Sequence, residues 1–191
     1  MTGELHTTGS PTRGVVLYCV CTLGVSLLLN VVLGVNLVGK SRIAASRFGV
    51  PPGAVLSSLP MRGLDGSRSY LSFSDGRPTV LYVMSPGCAW CLANQEAINK
   101  LASKARGSAR FIGLSLSGRD IDRFLSEHPA TFPFYTVAGP EDLFGLAFRV
   151  TPQTILLDET GRVRGAWVAR LDDKAGELIL RQISSLNKVV P

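Results

Sequence analysis

The first long feature of the hydrophobic pattern is an uncharged apolar run from Gly14 to Val38. At about 1.5 Å rise per residue, a helix of that length crosses a hydrocarbon core about 30 Å thick with room to tilt. A buried core helix is seldom so long and so free of charge. The apolar region of a cleaved signal peptide is shorter, about 7 to 15 residues, and Ile43-Ala44-Ala45 is a poor cleavage site beyond Lys40 and Arg42. The run therefore predicts a retained transmembrane anchor over 14–38. A polar, disordered tail over 1–13 precedes it, and a linker over 39–53 follows, ending in Val50-Pro51-Pro52-Gly53.

After the linker the pattern changes to short apolar runs and amphipathic stretches, and predicts one globular domain over 54–191. Val55 to Leu59 and Tyr70 to Phe73 read as strands joined by the turn Leu64-Asp65-Gly66-Ser67. Thr79 to Met84 is the densest apolar run and reads as the central strand. A helix from Cys88 or Ala89 to about Arg106 follows, with Leu92, Ala93, Ile98 and Leu101 expected to face the sheet. Arg110 to Leu116 is a second buried strand. Asp120 to Glu127 is a short helix opened by Ser117-Gly118 or Asp120. Phe132 to Val137 is strand-like, and Pro140 to Phe148 is helical. Val150 to Asp158 is a strand that Glu159-Thr160-Gly161 turns into an antiparallel partner, Arg162 to Val168. A helix from Asp172 to Leu186 closes the chain. This order implies an α/β fold, a central mixed sheet with helices on both faces after an N-terminal β-hairpin.

Charge and cysteine usage narrow the class. The net charge is +6, but the arginines are scattered and do not interleave with aromatics. That argues against nucleic acid and leaves contact with an anionic membrane surface open. Cys19 and Cys21 lie in the apolar run, where they pack or face lipid, outside any lipoprotein-type context. Asn30 and Asn36 in the same run could hydrogen-bond a neighbouring helix. Only Cys88 and Cys91 belong to the domain, so it is no disulfide-stapled scaffold.

Those two cysteines sit in Ser85-Pro86-Gly87-Cys88-Ala89-Trp90-Cys91, at a strand-to-helix junction. Both sulfurs fall within one helical turn, close enough to bridge. The first sits where unpaired N–H groups and the helix dipole favour a thiolate. A structural zinc needs four ligands, and the domain offers only His128 besides this pair; His128 itself reads as a solvated residue at a helix end. A purely structural bridge here would tie down little chain. A peroxidatic signature wants a proline four residues before Ser85, where Leu81 stands. A redox dithiol remains, with no cofactor required.

These motifs resemble the thioredoxin fold and, more narrowly, the membrane-anchored TlpA/ResA-like thiol-disulfide oxidoreductases. Three stretches carry the likeness, which covers about residues 54 to 187: the hairpin Leu64-Asp65-Gly66 with Leu71-Ser72 and Gly76, then Cys88-Ala89-Trp90-Cys91, then Thr151-Pro152-Gln153-Thr154 through Gly161-Arg162-Val163. The resemblance implies that Cys88 is the nucleophile and Cys91 the resolving thiol. It also implies a cis Pro152 that sets the Thr151 backbone beside Cys88, where an extended substrate segment could pair with it. Trp90 is either a partner contact or a rim aromatic. Three positions depart from the family: Gly87 replaces its tryptophan, Tyr82 its buried carboxylate and Glu96 its helix proline. Tyr82 reads as core, and Glu96, Glu141 and Asp142 stand as candidates for proton transfer.

The implied protein is tethered to the bacterial cytoplasmic membrane by a single span, with its domain on the periplasmic side. It reduces or exchanges disulfides of partner proteins and is fed by an upstream thiol donor such as a membrane electron carrier. Haem-binding cysteines in cytochrome c maturation are among the family's substrates. The alternative is a non-catalytic thioredoxin-fold module that assembles a membrane complex. One feature opposes the orientation: Lys40, Arg42 and Arg47 follow the span and only Arg13 precedes it, the reverse of the positive-inside pattern.

Overall fold

The computed structural model describes residues 14–18, 20–32, 49–56, 58–73, 76–139, 148 and 150–188. The tail over 1–13, the linker up to residue 48, Cys19, Asn36 and the expected helix at 140–147 with Glu141 and Asp142 lie outside them. The N-terminal unit holds helix α1 (Gly14–Val32), apolar and long enough to cross a membrane, with none of its span buried. Within α1, the Asn30 amide donates to the Ser26 carbonyl at 2.8 Å, which satisfies one of its polar groups without a neighbouring helix.

The second unit is built on a seven-stranded mixed sheet. Its strands are β1 (Ser58–Arg62), β2 (Arg68–Ser72), β3 (Thr79–Met84), β4 (Arg110–Ser115), β5 (Phe134–Val137), β6 (Gln153–Leu157) and β7 (Val163–Val168), in the order β2-β1-β5-β4-β3-β6-β7. β3 runs parallel to β4 and antiparallel to β6. Every residue of β3 is buried, as its unbroken apolar run requires of a strand covered on both faces. Val80, Tyr82 and Met84 point into one core layer and Leu81 and Val83 into the other.

Helices α2 (Ala89–Lys104), α3 (Ile121–Glu127) and α4 (Asp173–Asn187) all contribute to the layer of Val80, Tyr82 and Met84. The opposite layer is filled by Val50, Leu56, Phe73 and Phe148, among others. Of the helix expected at 140–148, Phe148 alone is described.

The structure corrects several expectations; β5 and β6 start at Phe134 and Gln153 rather than Phe132 and Val150. The first strand starts at Ser58 rather than Val55, because Val55 makes an isolated bridge to Arg162 before the chain crosses to pair with β2. The inner face of α2 is not Leu92 and Ala93, which are exposed; it is Cys91, Asn94, Gln95, Ile98 and Leu101. The helical period fixes this: the positions three, four and seven residues before Ile98 share its side, while residues 92 and 93 rotate away. His128 is half-buried with its ring centroid 5.3 Å from that of Phe124, at the C-terminal end of α3.

Candidate active site

β3 delivers the chain to the edge of the core at Met84, and Ser85-Pro86-Gly87 reverses it into α2. The Cys88 N–H closes this turn on the Ser85 carbonyl at 3.0 Å. Cys88 is the N-cap of α2, with extended backbone, and its Sγ accepts the Cys91 N–H at 3.3 Å. A thiol thus takes the place of the usual capping hydroxyl or carboxylate. No acidic residue occupies the first turn of α2, so the positive end of the helix acts on sulfur without competition.

The two thiols have opposite environments. Cys88 is half-buried and Cys91 fully buried, and both are free. Burial opposes charge on Cys88, but hydrogen bonds from the Cys91 thiol, the Thr151 side chain and the Cys91 and Trp90 N–H groups outweigh it and hold this thiol below its ordinary 9.0. For Cys91, burial dominates and the bond it gives to Cys88 adds to it, so its pKa is pushed up to about 12. One sulfur is poised to be a thiolate and the other is held protonated beside it.

Thr151 faces this pair from the segment before β6. In its thiol form Cys88 donates to the Thr151 carbonyl at 3.5 Å. Thr151 is half-buried, Pro152 is buried, and the peptide bond between them is cis. Trp90 is 55% exposed and stands two residues past Cys88 in the open first turn. Glu96 is exposed on the outer face of α2, away from Cys91, and so is not placed to take its proton. Among the described residues, no cluster of His, Cys, Asp and Glu could hold a metal ion.

Two buried polar groups lie behind the thiol pair. The Tyr82 hydroxyl donates to the Cys91 carbonyl at 3.2 Å, and burial raises its pKa so that it stays a neutral phenol. Asn94, 1% exposed, donates to the Ala169 carbonyl at 2.9 Å and accepts the Leu171 N–H at 2.9 Å. Asn94 was not among the residues singled out from the sequence. Its one signal there was a polar side chain three residues after Cys91, on the stripe that continues to Ile98 and Leu101.

No protein-family model and no curated protein matches the chain. Solved structures do. A protein described as thiol:disulfide interchange protein DsbE from Chlorobium tepidum aligns at TM-score 0.62 and 20% identity, over 71% of this chain and 96% of that one. The thioredoxin domain of a thiol-disulfide oxidoreductase from Bacteroides vulgatus aligns at TM-score 0.61 and 16% identity, covering 70% and 99%. StoA from Bacillus subtilis aligns at TM-score 0.55 and 16% identity, covering 70% and 99%. The chain therefore has the thioredoxin fold, shared with thiol:disulfide oxidoreductases, as the resemblance to the TlpA/ResA-like proteins implied.

Proposed function

We propose that this protein is a membrane-tethered thiol-disulfide oxidoreductase that reduces or exchanges disulfides of extracytoplasmic partner proteins. The observation that carries the reading is the asymmetry of the pair: a half-buried, hydrogen-bonded Cys88 with lowered pKa beside a buried Cys91 that keeps its proton.

The Cys88 thiolate attacks one sulfur of a substrate disulfide. A mixed disulfide forms, and the other substrate sulfur leaves as a thiolate. Cys91 then loses its proton, to the departing thiolate or to solvent, and attacks the Cys88 sulfur. The Cys88–Cys91 disulfide forms and the second substrate sulfur is released. Substrate gains two electrons and two protons, and the dithiol loses them. An upstream thiol donor, such as a membrane electron carrier, restores the dithiol; in reverse the same steps oxidise a substrate dithiol. A substrate backbone segment lies against Thr151, and Trp90 contacts its flanks.

The tether is α1, and the domain faces the periplasm of a bacterial cell, where cysteines awaiting haem in cytochrome c maturation are one class of substrate. The full chain in detergent should show a reversible Cys88–Cys91 couple and turn over a model disulfide. A chain that binds partners but shows neither property is an assembly module instead. For orientation, a membrane-impermeant thiol reagent on intact reduced cells should label Cys88; labelling only after lysis places the domain in the cytoplasm.

A further inference from the structure

We propose that Asn94 is a positioning residue that holds Thr151 against Cys88 by way of Ala169 and Pro152, and so sets how well an extended peptide docks. This rests on the exchange chemistry proposed above and adds to it a residue that touches neither sulfur nor substrate.

The connection can be followed bond by bond. Asn94 lies on the inner face of α2, one turn beyond Cys91, and is buried. Its amide nitrogen donates to the Ala169 carbonyl at 2.9 Å, and its oxygen accepts the Leu171 N–H at 2.9 Å. The two bonds bracket the segment between β7 and α4. Ala169 in turn donates its own N–H to the Pro152 carbonyl at 3.0 Å. The residue before Pro152 is Thr151, whose carbonyl accepts from Cys88 at 3.5 Å. The helix that carries both thiols is thus tied, through one side chain and one backbone unit, to the segment that faces them.

Ala169 has φ 74°, in the left-handed region. A side chain at that φ is unfavourable for any residue with a Cβ, and alanine has no polar side chain to offset it. Such a conformation persists where surrounding bonds over-determine it. Here the Ala169 carbonyl is held by Asn94 and its N–H by Pro152. Without the amide of Asn94, Ala169 is free to return toward negative φ, which swings its N–H off Pro152 and loosens Thr151. A glycine at this position would adopt the same φ without the Cβ penalty.

The test is single-turnover release of thionitrobenzoate by the reduced full chain in detergent, from two disulfides with the same leaving group. One is 5,5′-dithiobis(2-nitrobenzoate). The other is an extended peptide of about eight residues whose one cysteine carries thionitrobenzoate. In each, Cys88 sulfur bonds to the substrate sulfur and thionitrobenzoate leaves with the electron pair. Asn94→Ala should slow the peptide reaction about tenfold, the scale of one lost buried hydrogen bond, and change the small-disulfide rate by less than about twofold. Adding Ala169→Gly to that variant should restore most of the peptide rate. Should Asn94→Ala not fold, Asn94→Asp keeps the acceptor for Leu171 and loses the donor to Ala169; with a peptide whose net charge matches that of the small disulfide, the effect of the added carboxylate falls on both substrates alike and their ratio still reads docking. Equal slowing of both substrates, an unchanged ratio, or no recovery with Ala169→Gly overturns the inference. A wild-type chain that reacts with neither disulfide overturns the exchange chemistry instead.

Discussion

In the reduced domain, alkylation should separate the two thiols by a large and calculable factor. Cys91 is pushed up to about 12 from an ordinary 9.0. At neutral pH it then holds about a thousandth of the thiolate that an ordinary cysteine would. A more basic thiolate is a better nucleophile, with a Brønsted slope of about 0.4–0.5, which returns a factor of about 15 to 30. Cys91 should therefore react about 30- to 60-fold more slowly than a free cysteine, before its complete burial is counted. Cys88 is half-buried and its pKa lies below 9.0, so it should react at least as fast as a free cysteine at neutral pH. The assay is timed iodoacetamide labelling of the reduced full chain between pH 6 and 9.5, read by mass spectrometry. The Cys88 profile should have its midpoint below 9.0. Cys91→Ala removes the side chain that donates to Cys88 and should move that midpoint upward. Comparable labelling rates for Cys88 and Cys91, or a Cys88 midpoint at or above that of a free cysteine, would refute the assigned division of labour.

Two predictions concern the frame around the site. Asp158 is buried; its Oδ1 accepts from the Thr160 hydroxyl at 2.6 Å and from the Thr160 and Arg162 N–H groups, and its Oδ2 pairs with Arg164 at 2.8 Å. Burial raises its pKa but these bonds outweigh it and depress it below 3.8, so its stabilisation is present above the unfolded value and lost as pH falls through the folded one. Asp158→Asn should cost about 1–3 kcal/mol in urea unfolding at pH 7, and the difference from wild type should shrink below about pH 4. In the same turn Gly161 has φ 79°, and a Cβ there would meet the Leu56 carbonyl. Gly161→Ala should lower stability by at least about 1–2 kcal/mol, read from the urea midpoint, and leave the labelling order of the thiols unchanged.

The parts legible in the sequence were those fixed by local pattern. Thr79–Met84 stands as a strand at its expected bounds because an apolar run between turn signals has few other places in a globular domain. The cysteine pair announced its own junction. Thr151 and Pro152 carry no chemistry that composition reveals, and they entered only through the resemblance. The inner face of α2 was misassigned because Leu92 and Ala93 are apolar, whereas phase relative to Ile98 and Leu101 decides burial and placed Asn94 and Gln95 inside. The role of Asn94 could not be read, because its partners are backbone groups of Ala169 and Leu171, far along the chain. Backbone partners leave no mark in residue identity, and the left-handed turn at Ala169 carries no glycine to signal it.

The central claim is that Cys88 attacks and Cys91 resolves, and trapping in cells tests it most directly. Cys91→Ser leaves the nucleophile in place and removes the thiol that would release the partner. It should accumulate mixed disulfides through Cys88, visible on non-reducing gels and lost on reduction, while Cys88→Ser accumulates none. Trapping by Cys88→Ser alone, or equally by both variants, would contradict the assignment.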